Sequence, residues 1–181
     1  FSYILNKKLA AYNKKGSTGR DARYFRWHDS GDLQSVNHLA LIIEIAKKTP
    51  SIRHWLPTRE YKIIVDGLKE MGYTIDPATK TVVEVPNLTI RLSAHMVGKT
   101  APEYGFPVSG VHEHGSLPEG YESCTAYRTD KNGVVVSHEE YMETYNMPHK
   151  QGVKERSQWG YCGDCRKCWD CPLIAISYPK H

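Results

Sequence analysis

The chain of 181 residues is 40% hydrophobic and 24% charged, with a formal charge of +4 when its nine histidines are neutral. That length suits one domain with its own core, and the composition excludes a disordered or low-complexity protein. No apolar run approaches the roughly 20 residues of a membrane span and no secretory segment opens the chain, so a soluble, cytoplasmic protein is expected.

The chain starts at Phe1 rather than Met, so it reads as processed or as a piece of something longer. Residues 2–15, SYILNKKLAAYNKK, read as a helix that stops at the breaker run GSTG. A short strand follows at about 24–27 and runs into the polar turn HDSGD. A second helix is expected from about 35 to 48. Val36, Leu39, Ala40 and Ile43 recur at helical spacing, Asp32 or Ser35 can cap the start, and Pro50 lies beyond the end. SIRHWL reads as a strand stopped at Pro57, and REYKIIVDGLKEMG as a helix stopped at Gly72. TVVEV (81–85) reads as a short strand and NLTIRLSA (87–94) as a stronger one.

Strand, helix, strand, helix, strand in succession implies a parallel sheet with right-handed crossovers. A further strand is expected in PVSGVHEHG, with shorter ones in YESCTAYRT and GVVVSHEE. The expected fold is therefore α/β: a partial (β/α) barrel-like parallel sheet with an irregular, cysteine-rich C-terminal segment. An open doubly wound sheet is the alternative. One domain is expected, with residues 24–115 supplying the βα repeats and residues 116–181 a metal-binding segment.

Parallel sheets bind ligands at the carboxyl ends of their strands, where loops converge. The first strand end carries Arg26, His28, Asp29, Ser30 and Asp32, the second Thr58 and Arg59, and the third Ser93 and His95. His28, Asp29, Asp32 and His95 are candidates for acid–base or orienting roles. Arg26 and Arg59 suit a bidentate hold on a phosphate or carboxylate, and Ser30, Thr58 and Ser93 are further substrate-binding candidates. The same residues also suit turns, helix caps and surface ion pairs. His112 and His114 would share a face of a strand, yet no third metal ligand lies near them, so HEH reads as a solvated loop. The chain shows no P-loop, dinucleotide fingerprint or nucleophile elbow.

Four of the five cysteines, Cys162, Cys165, Cys168 and Cys171, fall three residues apart near the end of the chain. Disulfide frameworks spread their cysteines to close loops; this run instead converges its sulfurs from one turn, as metal or cluster ligands do. Structural zinc takes two short pairs set well apart, whereas C-x2-C-x2-C lets three thiolates reach one cubane with a fourth ligand from elsewhere. A [4Fe–4S] cluster on Cys162, Cys165 and Cys168, completed by Cys124, is the favoured reading, with Cys171 as spare or substitute. Zn2+ on the same residues is the rival. Trp159, Tyr161 and Trp169 stand around the run as shielding or as ordinary packing.

FRWHDSGDLQS, TPSIRHWLPTREY, NLTIRLSAHM and CGDCRKCWD…ISYPKH together resemble the gene product 88 family of small bacteriophage-encoded proteins, over about residues 24–181. That family resembles, more distantly, radical S-adenosylmethionine barrels with an auxiliary cluster. The resemblance implies a phage-encoded protein of the host cytoplasm, an iron–sulfur enzyme, and a further C-x3-C-x2-C segment upstream; here no cysteine precedes Cys124. Two readings of function result. One is a metalloprotein whose strand-end pocket takes a small anionic or nucleotide-like substrate. The other is a zinc-stapled module contacting nucleic acid or a host protein through Lys7, Lys8, Lys14, Lys15, Arg20 and Arg23.

Overall fold

The computed structural model describes residues 1–15, 21–28, 31–113, 116–124 and 165–179. Its elements are α1 (Ser2–Lys15), β1 (Tyr24–Arg26), α2 (Val36–Lys47), β2 (Arg53–Thr58), α3 (Tyr61–Glu70), β3 (Ile75–Asp76), β4 (Thr81–Val82), β5 (Leu88–Ser93), β6 (Val108–His112), β7 (Tyr121–Ser123), α4 (Lys167–Asp170) and β8 (Ala175–Pro179). Six strands form one parallel sheet in the order β1-β2-β5-β6-β8-β7. The alternation read from residue 24 to residue 94 is thus realised, but β4 belongs to a separate antiparallel pair with β3.

The helix boundaries follow from local chemistry. Ser35, not Asp32, caps α2: its Oγ accepts the His38 N–H at 3.1 Å. Gly72 at φ +75° lets the chain turn away after α3. β2 continues through Pro57, where the sequence had suggested a stop. The Trp55 carbonyl faces β1 by accepting the Trp27 N–H, so the imide nitrogen of Pro57, two residues on, faces the same side. β1 has ended by then, its last pair being Arg26 with Trp55, and no ladder bond is lost.

The two faces of the sheet have different covers. Leu88, Ile90 and Leu92 of β5, with Leu56 of β2, pack against Leu39, Ile42, Ile43 and Ala46 of α2 and Ile64 and Leu68 of α3 in one buried cluster. A methyl group at Gly67 would meet Val36 at 3.2 Å, so a residue without a side chain lets α3 lie close against α2. α1 adds Leu5 and Leu9 against Ile52, Phe25 and Ile45. The opposite face, with Trp55 and Ile176, is covered by the C-terminal segment through Cys168 and Trp169. That segment is not irregular throughout, as expected from sequence: it makes the short helix α4 and then β8, which lies between β6 and β7. The strand expected in GVVVSHEE lies outside the described residues.

His54 sits fully buried beneath α2. Thr49 Oγ1 donates to the Ile45 carbonyl and so accepts from His54 Nε2 at 2.8 Å, while Trp27 Nε1 donates to Nδ1 at 3.2 Å. One nitrogen must give and the other receive, which only neutral imidazole can do. Burial accordingly lowers its pKa from 6.5 to about 4. The unfolded chain takes up this proton first on acidification, so stability is whole above pH 6.5 and is lost as pH falls towards 4. The expected loss is about 3 kcal/mol by pH 4. Urea melts across this window check it, and a folded His54→Asn variant should show a shallower slope.

Candidate functional site

The carboxylate of Asp32, in the loop after β1, reaches across to the end of β2. Its Oδ1 accepts the Leu33 N–H at 2.8 Å and the Thr58 hydroxyl at 2.5 Å, and its Oδ2 accepts the Arg59 N–H at 2.8 Å. Thr58 Oγ1 in turn accepts the Glu60 N–H, setting the first turn of α3. The Arg59 guanidinium stays largely exposed, with its Nε 3.9 Å from Asp32. This latch holds the backbone of Arg59, which lines a cleft of about 580 Å³ together with Tyr61, Lys62, Asp66, His95 and Tyr104.

Three rings line up along the cleft. The His95 ring meets Tyr61 edge to face at 4.8 Å between centroids, and Tyr61 lies 6.3 Å from Tyr104. Tyr61 is anchored by its hydroxyl, which donates to the Ser93 carbonyl at 2.6 Å, and burial raises its pKa. Tyr104 is exposed and holds φ +42°, a strained conformation for an aromatic residue.

Of the residues expected from sequence, Asp32, Thr58 and Arg59 meet at the end of β2, and Arg59 and His95 share the cleft. Ser93 joins them through its backbone, since its hydroxyl lies 3.0 Å from Ser109 Oγ on the sheet. Arg26 does not pair with Arg59 in a clamp; its guanidinium lies over Trp55 at 4.9 Å, on the face covered by the C-terminal segment. His28 takes φ +55° and meets His38 edge to face at 5.3 Å; its Nε2 is buried without a hydrogen-bond partner among the described residues, and burial, then His38, lower its pKa. Asp29 and Ser30 lie outside the described residues, as does His114. His112 is buried, its Nδ1 2.7 Å from Ser177 Oγ.

The cysteine-bearing face is more enclosed. Cys168 of α4 is buried, its sulfur 3.2 Å from the hydroxyl of Tyr178, whose pKa burial pushes well up. Cys124, just past β7, packs into the same cluster with Trp169, Ile174 and Tyr178, its N–H donating to the Ser177 carbonyl at 2.7 Å. Cys165 and Cys171 flank α4 and are half-buried. Cys162 lies outside the described residues. No disulfide joins the cysteines among the described residues, and no group of three or more His, Cys, Asp or Glu side chains is placed there to hold a metal ion.

The segment is nonetheless tied down at many points. Thr89 donates to the Trp169 carbonyl at 2.7 Å, Trp169 Nε1 to the Phe25 carbonyl at 3.0 Å, and Arg53 pairs with Asp170 at 3.0 Å. Arg91 of β5, wholly buried, donates to carbonyls on both sides of it. Sequence reasoning passed over Arg91, although a lone cation within the branched run NLTIRLSA was a visible signal. It also passed over Tyr61 and Tyr104, whose role depends on a cleft that only folding creates.

A family model described as gene product 88 matches residues 1–171, which takes in both the cleft and the cysteine face. The chain belongs to the gene product 88 family. No curated protein and no solved structure matches it. The more distant resemblance of the gene product 88 family to radical S-adenosylmethionine barrels gains no support from these comparisons. Among the described residues of this gene product 88 member, no helix is long and apolar enough to cross a membrane.

The Asp32 latch can be tested by itself. Asp32→Ala should cost about 2–3 kcal/mol, because it strands the Thr58 hydroxyl and the Arg59 N–H at once. Denaturant melts read the loss. Faster amide exchange at Arg59 and Glu60 should accompany it.

Proposed function

We propose that this gene product 88 protein is a metalloprotein, iron–sulfur in character, in which Cys124 joins Cys162, Cys165 and Cys168 around a [4Fe–4S] cluster, with Cys171 as the substitute ligand. The observation that carries the reading is the meeting of Cys124 and Cys168, distant in the chain, in one cluster of side chains under Trp55 and Tyr178. The short helix that carries Cys168 is also held over the sheet by a buried guanidinium, since Arg91 donates to the backbone carbonyl of Cys171 at 3.1 Å. Such a cluster would supply electron-transfer or Lewis-acid chemistry. The chain's own residues exclude water from it with Trp55 and Trp169 and hold its segment through Thr89, Arg53 and Arg91.

Beside it, the cleft at the ends of β2 and β5 is read as the site of a small anionic, nucleotide-like ligand. Arg59 and Lys62 offer positive charge, and Tyr61, Tyr104 and His95 offer ring faces and edges. Its position follows the rule that parallel sheets bind ligands at their carboxyl ends. The strands β1, β2, β5 and β6 follow one another without reversal and both α2 and α3 cover one face, so the winding is read as a partial barrel. A phage-encoded protein working in the host cytoplasm is part of the same proposal.

Protein purified without oxygen should be coloured, with iron and acid-labile sulfide in equal amounts, and Cys168→Ala should lose most of both. A colourless protein with one zinc would assign the thiols to Zn2+ instead; no bound metal in either preparation would reject the reading. For the cleft, Arg59→Ala should weaken binding of nucleoside monophosphates roughly tenfold or more in calorimetric titrations while leaving the melting temperature nearly unchanged. Strongly salt-dependent DNA binding in place of nucleotide binding would favour the nucleic-acid module.

A further inference from the structure

Two charged groups of the cleft along α3 have no internal partner. Lys62 and Asp66 line it one helical turn apart, yet among the described residues neither side chain makes an ion pair or a hydrogen bond. By contrast the Asp32 carboxylate is committed to Thr58 and the Arg59 N–H, and the Tyr61 hydroxyl to the Ser93 carbonyl. The lining sets Arg59 and Lys62 against Glu60 and Asp66, so with His95 neutral it carries no formal net charge. A single phosphate suits such a lining, whereas the several charges of a polyphosphate would be repelled by the carboxylates.

Tyr104 brings its ring to the same cleft. The residues on either side fix its place: the Glu103 carboxylate pairs with Lys80 at 3.2 Å, the Glu103 carbonyl accepts the Phe106 N–H at 2.6 Å, and Phe106 is buried. Between these anchors Tyr104 and Gly105 take φ +42° and +81°. The Tyr104 ring is left exposed, tilted 53° from Tyr61 rather than stacked on it. An exposed ring held in place is a stacking surface for a flat ligand.

Asp66 adds a demand on the edge of that ligand. A carboxylate only accepts hydrogen bonds, and it offers two oxygens side by side. Guanine turns two adjacent donors, N1–H and the N2 amine, to one edge. Adenine and cytosine set an acceptor nitrogen beside their amine, and uracil has one N–H between two carbonyls; each would leave a carboxylate facing an acceptor. From Tyr61 to Asp66 the helix rises about 7.5 Å, and Arg59 stands just before its first turn. Cation and carboxylate are thus about as far apart as the phosphate and the base edge of a nucleoside monophosphate.

We propose that the cleft selects guanosine monophosphate: Arg59 takes the phosphate, Tyr104 stacks on the base, and the Asp66 carboxylate accepts from N1–H and the N2 amine. The inference rests on the nucleotide-like reading of this cleft and adds which base it takes. Asp66 is then the residue that determines specificity.

Full-length wild type, Asp66→Asn and Tyr104→Ala would be titrated calorimetrically with GMP, IMP, AMP, CMP, GTP and 1-methyl-GMP in one buffer, with melting temperatures taken alongside. Wild type should bind GMP roughly tenfold or more tightly than AMP or CMP. IMP, which keeps N1–H and lacks the amine, should fall between them, and GTP should bind no more tightly than GMP. Asp66→Asn should bring GMP to within about threefold of AMP while leaving AMP binding unchanged. Tyr104→Ala should weaken all the monophosphates roughly tenfold. Should Asp66→Asn fail to fold, wild type decides with 1-methyl-GMP, whose blocked N1 should lower its affinity to that of AMP. Nucleotide binding with no preference for guanine, a preference that survives in folded Asp66→Asn, or 1-methyl-GMP bound as tightly as GMP overturns the inference and leaves the cleft an unselective site. Wild type that binds none of the nucleotides rejects the cleft reading itself.

Discussion

The guanidinium of Arg91 hangs beneath the C-terminal segment, and backbone carbonyls from β6 and from both ends of α4 close around it. A cation in that place is costly to bury and equally costly to expose half-satisfied, so the segment is held in one register over the sheet. Thr89 and Arg53 reinforce that register from neighbouring positions. Burial of Trp55, entry of β8 between β6 and β7, and the meeting of Cys124 with Cys168 all require the segment to lie there.

The cleft at the ends of β2 and β5 is built by opposite means. Its Arg59 edge is held by the Asp32 carboxylate, which accepts from one hydroxyl and two backbone N–H groups. Asp32 thereby holds the β1 loop against the start of α3 and leaves the Arg59 side chain extended into solvent. The hydroxyl of Tyr61, bound to the end of β5, does the same for the aromatic wall. Asp32 and Thr58, which read as catalytic and substrate-binding groups in sequence, are here engaged in keeping their neighbours still.

Much of this was legible early. The strand–helix alternation and the Gly72 stop depend on neighbours a few residues away and emerged from spacing alone, while the cap of α2 was narrowed to Asp32 or Ser35. Pro57 misled because its effect depends on where β1 ends, which is a property of the pairing. Arg26 and Arg59 looked alike as cations following strands, yet one stacks on Trp55 and the other borders the cleft. β8 went unseen because its alternation of Ile176 and Tyr178 is short, and its partners β6 and β7 lie far back in the chain.

Periodicity, turn residues and the thiol run therefore determined, from sequence alone, an α/β protein with polar strand ends and a cysteine-rich terminus, because each arises from contacts within a few residues. Tertiary structure alone decided which polar groups share a cleft, that Cys124 packs against the cluster holding Cys168, and that Arg91 is enclosed. Those outcomes depend on strand order and on which face a segment covers, and both come from long-range packing that no local pattern encodes.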